Sequence, residues 1–184
     1  MSKVVIPLAQ GFEEIEAVSA IDVLRRGGVE VIVASIEEDV VVSGAHGIKL
    51  TADAFLKDIS SSPYDAILLP GGGEGTERLG SSLLVAEELR RAKENDLLIC
   101  AICAAPTVLV KTGVLSQHQH ITCYPSCIGE LDRPSANVPA VADGNVITGQ
   151  GPSAGILFAL IILSRLEGDT VARKVARGML FDGF

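Results

Sequence analysis

Cys103 sits in the string Ala101-Ile102-Cys103-Ala104-Ala105-Pro106, where an apolar run gives way to a helix start within two residues. A thiol on such a strand-to-helix turn is held in a strained backbone geometry, needs small neighbours, and is aimed at the N-terminus of the helix that follows. The amides and dipole at that terminus lower a thiol's pKa, and the thiolate is the nucleophilic form. These features describe a nucleophile elbow. Position alone leaves open the alternative of a buried cysteine that merely packs.

The other cysteines offer two competing chemistries. Cys100 with Cys103 has the spacing of a redox pair, but residues three apart on a strand face opposite sides, so the two thiols are expected to diverge. Cys100, Cys103, Cys123 and Cys127 resemble two close pairs of zinc ligands, and the same strand geometry argues against that set. No metal is expected.

Glycine loops are the next source of chemistry. Gly71 to Gly75 follows an apolar strand but lacks the Lys-Ser/Thr ending of a phosphate loop and carries Glu74, with Glu77 close behind. Gly149-Gln150-Gly151 with Gly155 misses the dinucleotide spacing. A nucleotide cofactor is therefore not expected, whereas a glycine turn beside the elbow could offer backbone N–H groups to an oxyanion. Glu13, Glu14 and Glu16 open a helix, where acids commonly answer the dipole, and periodicity does not choose among them. His118 and His120 lie in a polar run; His120 is four strand residues, or ~13 Å, before Tyr124, too far to serve as a base near it.

Apolar strands alternate with helical segments along the chain. Lys3 to Ala9, Val29 to Ser35, Tyr64 to Leu69 and Leu97 to Cys103 read as buried strands, and Ile121 to Tyr124 as a fifth. Residues 13–26, 83–94, 104–112, 153–166 and 169–180 carry helical periodicity, with Asp169 as an N-cap. Val40 to Val42 with Ile48 to Thr51 predicts a hairpin appended to the sheet, and Asp143-Gly144 a second hairpin turn. The alternation predicts an α/β, doubly wound, mostly parallel sheet with helices on both faces, in one domain spanning residues 1–184. Ligands of such folds bind beyond the carboxyl ends of the strands, where the loops at 9–16, 70–75 and 103–106 would converge.

Composition narrows the partners. Fifteen basic against 23 acidic residues give a formal charge of −8, which disfavours a nucleic-acid backbone, and Arg25-Arg26 and Arg90-Arg91 are isolated pairs at helix ends. The longest apolar run, Ile156 to Leu163, is far short of the roughly 20 residues a membrane-spanning helix needs. The N-terminal segment carries no export signal, and free thiols suit a reducing compartment, so a cytoplasmic location is expected.

Five segments together resemble the ThiJ/PfpI superfamily, in the branch that holds the Parkinson's-disease-associated deglycase and its bacterial relatives: GFEEIEA, IDVLRRGG, YDAILLPGGGEG, AICAAPT and GQGPSAGILFAL. The resemblance implies a flavodoxin-like homodimer in which Cys103 is the reactive, oxidisable thiol and Glu16 a protonated carboxyl hydrogen-bonded to it. It also implies that Gly71, Gly72 and the Ala104 amide receive an oxyanion. Tyr124, before Pro125, stands where many relatives carry a histidine, which leaves a hydrolytic triad without its base. The activity implied is cofactor-independent conversion of α-oxoaldehydes such as methylglyoxal, or of early glycation adducts on protein or nucleotide, to hydroxyacids. The competing role is a redox-responsive sensor or chaperone acting through oxidation of Cys103. A cysteine peptidase or amidase is the third and weakest alternative.

Overall fold

The computed structural model describes residues 1–60 and 62–184. Strand β1 (Lys3–Leu8), helix α1 (Glu14–Arg26) and strand β2 (Glu30–Ser35) form the opening βαβ unit, and the two strands pair in parallel from Lys3 opposite Glu30 to Leu8 opposite Ser35. Strands β3 (Val41–Ser43) and β4 (Lys49–Thr51) form the expected hairpin, but as a two-stranded sheet of their own rather than an appendage of the main sheet. The edge it would have joined is taken by β5 (Ala54–Phe55), which pairs with β2. Short helix α2 (Leu56–Ile59) leads to strand β6 (Ala66–Leu69).

Helix α3 (Gly73–Ser81) occupies a stretch that reads as a glycine loop, because its glycines lower intrinsic helix propensity and only burial of Leu79 and Thr76 offsets that. Helix α4 (Leu83–Glu94), strand β7 (Leu98–Ile102) and helix α5 (Pro106–Thr112) follow. Residues 121–124 do not form a fifth strand: Ile121 makes one isolated bridge to Ser135, and the places beside β7 are filled by β6 and by a later strand. That later strand belongs to the hairpin of β8 (Ala140–Asp143) and β9 (Val146–Gly149). Helix α6 (Gly155–Glu167) and helix α7 (Asp169–Gly178) close the chain. Asp169 is the first residue of α7 rather than its cap; Gly168, at φ +90°, takes the cap position, and the Asp169 carboxylate accepts from the Ser164 hydroxyl.

The main sheet runs β5-β2-β1-β6-β7-β9-β8, parallel except at the β8 edge. Alternate residues divide it into two cores. Val4, Ile6, Leu8, Leu68 and Cys100 pack with α1, α6 and α7, whereas Val5, Ile67, Leu69, Ile99 and Ala101 pack with α3, α4 and α5. Helices therefore cover both faces, as expected for a flavodoxin-like fold. From β1 the chain crosses outward to β2 and then returns to β6 on the other side, so the crevice between the loops after β1 and β6 is the switch point where such folds bind ligands. No helix among the described residues is long and apolar enough to cross a membrane.

Candidate active site

The elbow is formed by a single unusual backbone. Cys103 adopts φ +66°, a left-handed conformation that costs a non-glycine residue about 1–2 kcal/mol. It is held there from both sides: its N–H donates to the Gly149 carbonyl (2.9 Å) and its carbonyl accepts from the Tyr124 N–H (2.8 Å). Ala104 and Ala105 complete the turn, and Pro106 starts α5 at a position where no N–H is needed. The reversal also moves Cys103 off the strand alternation, so Cys103 and Cys100 contribute to the same core instead of facing opposite sides. All four cysteines are free thiols.

Glu16 supplies the partner. It is fully buried, on the first turn of α1, and the Gly71 N–H donates to its Oε2 (2.8 Å). Its Oε1 has no hydrogen-bond partner among the described residues, and the carboxyl lies against the Cys103 side chain. Glu13 fixes the helix start by accepting from the Glu16 N–H (2.8 Å), while Glu14 reaches away to the hairpin, accepting from the His46 N–H (2.6 Å). The three acids of one short segment thus hold three different posts, which sequence periodicity cannot separate.

Two glycines permit the approach. A Cβ on Gly71 would lie 2.6 Å from both Cys103 Cβ and Glu16 Oε2. Gly72, at φ +98°, leaves no room for a side chain, since a Cβ would fall 2.2 Å from the Gly11 carbonyl oxygen. The loops after β1 and β6 are laced by Glu13 N–H to Gly71 carbonyl (3.0 Å) and Gly75 N–H to Gly11 carbonyl (3.2 Å). The three candidate loops therefore do converge. Because Gly71 spends its amide on Glu16, the amides left to face the sulfur are those of Gly72 and Ala104.

Burial raises the Glu16 carboxyl to about 7, against the pull of the neighbouring Cys103 thiol and of the Gly71 N–H. Burial also raises the Cys103 thiol, an ionised Glu16 raises it further, and the Ala104 and Gly72 amides lower it. A protonated Glu16 removes the charge repulsion and turns its hydrogen bond into one that favours the thiolate. The two groups therefore compete for one proton. The sulfur is recessed, with Cys103 only 8% exposed, far less open than a freely accessible nucleophile.

The remaining candidates are spread out. Tyr124 is half-exposed, its ring 3.3 Å from where a Cβ on Gly151 would sit, and its backbone touches Cys103. His118 and His120 are exposed, and His120 pairs with Asp143. Cys123 is buried, with its thiol toward Ser135, and Cys127 is partly exposed. Among the described residues the cysteines form no metal-holding group; the grouping that does meet ligand spacing is Glu13, Glu14 and His46. Arg25, Arg26 and Arg91 are each paired with an acid rather than assembled into a basic patch. Thr76 and the cavity beside it carry no sequence motif; a helix prediction over 73–81 would have been the signal.

A parallel α/β sheet with a thiol on a strained elbow and a buried carboxyl beside it, both at the switch point, defines a class of cysteine-centred proteins. The chain belongs to the DJ-1/PfpI family, which its residues 2–165 match. It is 40% identical over 184 residues to protein dj-1beta of Drosophila melanogaster, covering 98% of each chain. It is 34% identical over 159 residues to glutathione-independent glyoxalase DJR-1.2 of Caenorhabditis elegans, covering 85% of this chain and 83% of that one. Protein DJ-1 homolog B of Arabidopsis thaliana is 39% identical over 176 residues and much longer: 95% of this chain matches 40% of it. Among solved structures, oxidized Toxoplasma gondii DJ-1 superposes with a TM-score of 0.95 at 36% identity, covering 99% of this chain and 100% of that one. The resemblance read from the five sequence segments is thus established as membership.

Proposed function

We propose that this chain is a cofactor-independent glyoxalase that converts small α-oxoaldehydes, methylglyoxal the simplest, to 2-hydroxyacids. The observation that carries the reading is the buried Glu16, tied through Oε2 to Gly71 and set against the Cys103 side chain. The C. elegans relative, named a glyoxalase, supports the same reaction class. The thiolate adds to the aldehyde carbon, and the carbonyl oxygen takes a proton from Glu16 while the Gly72 and Ala104 amides steady the developing charge. Glu16, now a carboxylate, removes the proton from that carbon and returns it to the neighbouring carbon. The hydroxyl proton crosses to the adjacent oxygen, leaving a thioester of the 2-hydroxyacid. Water then hydrolyses the thioester: its oxygen joins the acyl carbon, the carbon–sulfur bond breaks to release the Cys103 thiolate, one water proton restores Glu16 and the other stays on the acid.

The recessed sulfur bears on the substrate. At 8% exposure it admits a small aldehyde far more readily than an adduct borne on a protein surface, which favours free aldehyde over direct deglycation. Exposed Ile15 and Val18 on α1, with Ile48 on the hairpin docked beside it, suit the self-association of a homodimer. The whole chain is read as one cytoplasmic domain.

The same donors would hold an oxidised Cys103 as a sulfinate, and the oxidized Toxoplasma relative favours keeping this sensor reading as the alternative. Kinetics separate the two. Fully reduced protein should form hydroxyacid from methylglyoxal, and Cys103→Ser should abolish it. No turnover by reduced protein, with function emerging only after peroxide, would overturn the glyoxalase reading. So would alkylation of Cys103 by iodoacetamide no faster than that of an ordinary thiol.

A further inference from the structure

We propose that the cavity between α3 and α5 is a subsite for the hydroxylated, uncharged tail of a longer α-oxoaldehyde, the kind a five- or six-carbon sugar yields; this rests on the glyoxalase reading of Cys103. The cavity measures ≈ 340 Å³ and is lined by Gly73, Thr76, Glu77, Ala104, Lys111 and Glu130, among others. Gly73 follows Gly72 and Ala104 follows Cys103, so the cavity wall includes the chain neighbours of two residues at the site. Its volume falls within the range of about 300–1,000 Å³ in which proteins hold small organic ligands, well above the room a three-carbon aldehyde needs.

Thr107 spends its hydroxyl on the Ala104 carbonyl, but other polar groups of the lining are unspent. Thr76 is 6% exposed, yet its Oγ1 has no hydrogen-bond partner among the described residues. A helical threonine commonly bonds back to the carbonyl four residues earlier, as Thr112 does to Val108, but here the Gly72 carbonyl accepts the Thr76 N–H (2.9 Å) and not its hydroxyl. An orphaned buried hydroxyl in a native fold calls for a partner from outside the chain. Glu77, Lys111 and Glu130 have no ion-pair partner among the described residues. The Lys111 ammonium lies 3.9 Å from where a Cβ on Gly80 would be, so the missing side chain leaves it room over the cavity. One hydroxyl that donates and accepts, two carboxylates that accept and one ammonium that donates match a chain of neutral hydroxyls. The two carboxylates disfavour a phosphorylated or carboxylate tail.

The test compares kcat/KM for 3-deoxyglucosone, a six-carbon hydroxylated 2-oxoaldehyde, with that for methylglyoxal. Thr76→Val keeps the shape and removes the hydroxyl, and Gly80→Leu fills the cavity. Each should lower the six-carbon value about tenfold more than the methylglyoxal value, as loss of one buried hydrogen bond implies. A ratio unchanged within twofold in both variants overturns the subsite. Should wild type turn over neither aldehyde, the reaction reading fails by itself. The subsite is then decided by titrating Cys103→Ser protein with 3-deoxyglucosone and following amide shifts. Saturable shifts at Gly73, Thr76 and Lys111 that Thr76→Val removes uphold it, and their absence overturns it.

Discussion

Glu16 and Gly71 are joined by a hydrogen bond of 2.8 Å that spans 55 residues of sequence and holds the carboxyl against the Cys103 side chain. Glutamine in place of Glu16 keeps a donor toward the sulfur but carries no transferable proton. The Glu16→Gln variant should hold the Cys103 thiolate within about one pKa unit of wild type while losing turnover by 100-fold or more, in keeping with loss of a general acid–base. Thiolate absorbance against pH, with methylglyoxal kinetics on the same samples, checks both halves; a large rise in the thiol's pKa would contradict the first.

The same carboxyl leaves a signature in stability. Its folded pKa is raised from 4.5 to about 7, so the folded state binds the proton more tightly and stability falls as pH climbs through that window. The fall attributable to Glu16 is roughly 3 kcal/mol, and Glu16→Gln should remove it. Urea midpoints of the two proteins between pH 4 and 8 provide the comparison: parallel curves would mean that Glu16 titrates normally.

Gly71 and Gly72 are intolerant for different reasons. Alanine at 72 meets the Gly11 carbonyl at 2.2 Å with φ at +98°, and should destabilise the fold by roughly 2–4 kcal/mol. Alanine at 71 meets Cys103 and Glu16 side chains, each at 2.6 Å, so its main effect should be lost activity through a displaced carboxyl. Thermal unfolding and activity measured together distinguish the two, and equal damage to both properties at both positions would contradict this.

The strained elbow predicts an inverted preference. In ordinary strand positions alanine is more stabilising than glycine by roughly 0.5–1 kcal/mol. At residue 103, where φ is +66°, Cys103→Gly should be at least as stable as Cys103→Ala. Denaturation midpoints decide, and an alanine variant clearly more stable than glycine would show the backbone relaxed.

The hairpin is pinned by the His46 ring nitrogen on Glu14 at 2.7 Å. That contact raises His46 above 6.5, so its contribution is complete below that pH and is lost as pH rises through the folded value. Burial alone would raise Glu14, but the His46 contacts hold it below 4.5, so its contribution is complete above that pH and lost on acidification through the folded value. Hairpin amides should therefore be best protected between about pH 4.5 and 6.5. Hydrogen exchange at Gly44 and Ala45, in wild type and His46→Gln, measures this; identical pH profiles would remove the pair from the account.

Much of the architecture is legible in the order of residues. Apolar runs at 3–9, 29–35 and 64–69 announce buried parallel strands because burial on both faces leaves no polar alternation, and the small residues around Cys103 announce the elbow. Helix α3 is hidden because its glycines argue for a loop until Leu79 is seen to be buried. The hairpin's independence is hidden because β5, two residues long, gives almost no signal yet occupies the edge.

Side-chain chemistry and local periodicity are short-range properties, so the chain by itself determined the alternation of elements, the thiol at the strand-to-helix elbow and the glycines around it. Which of three neighbouring acids meets the sulfur, which amides remain free, and how deeply the thiol is recessed depend on contacts between residues 16, 71 and 103. Only the packing of α1 against the sheet and the left-handed turn at Cys103 decide those, because burial and proximity across such separations are set by the whole fold.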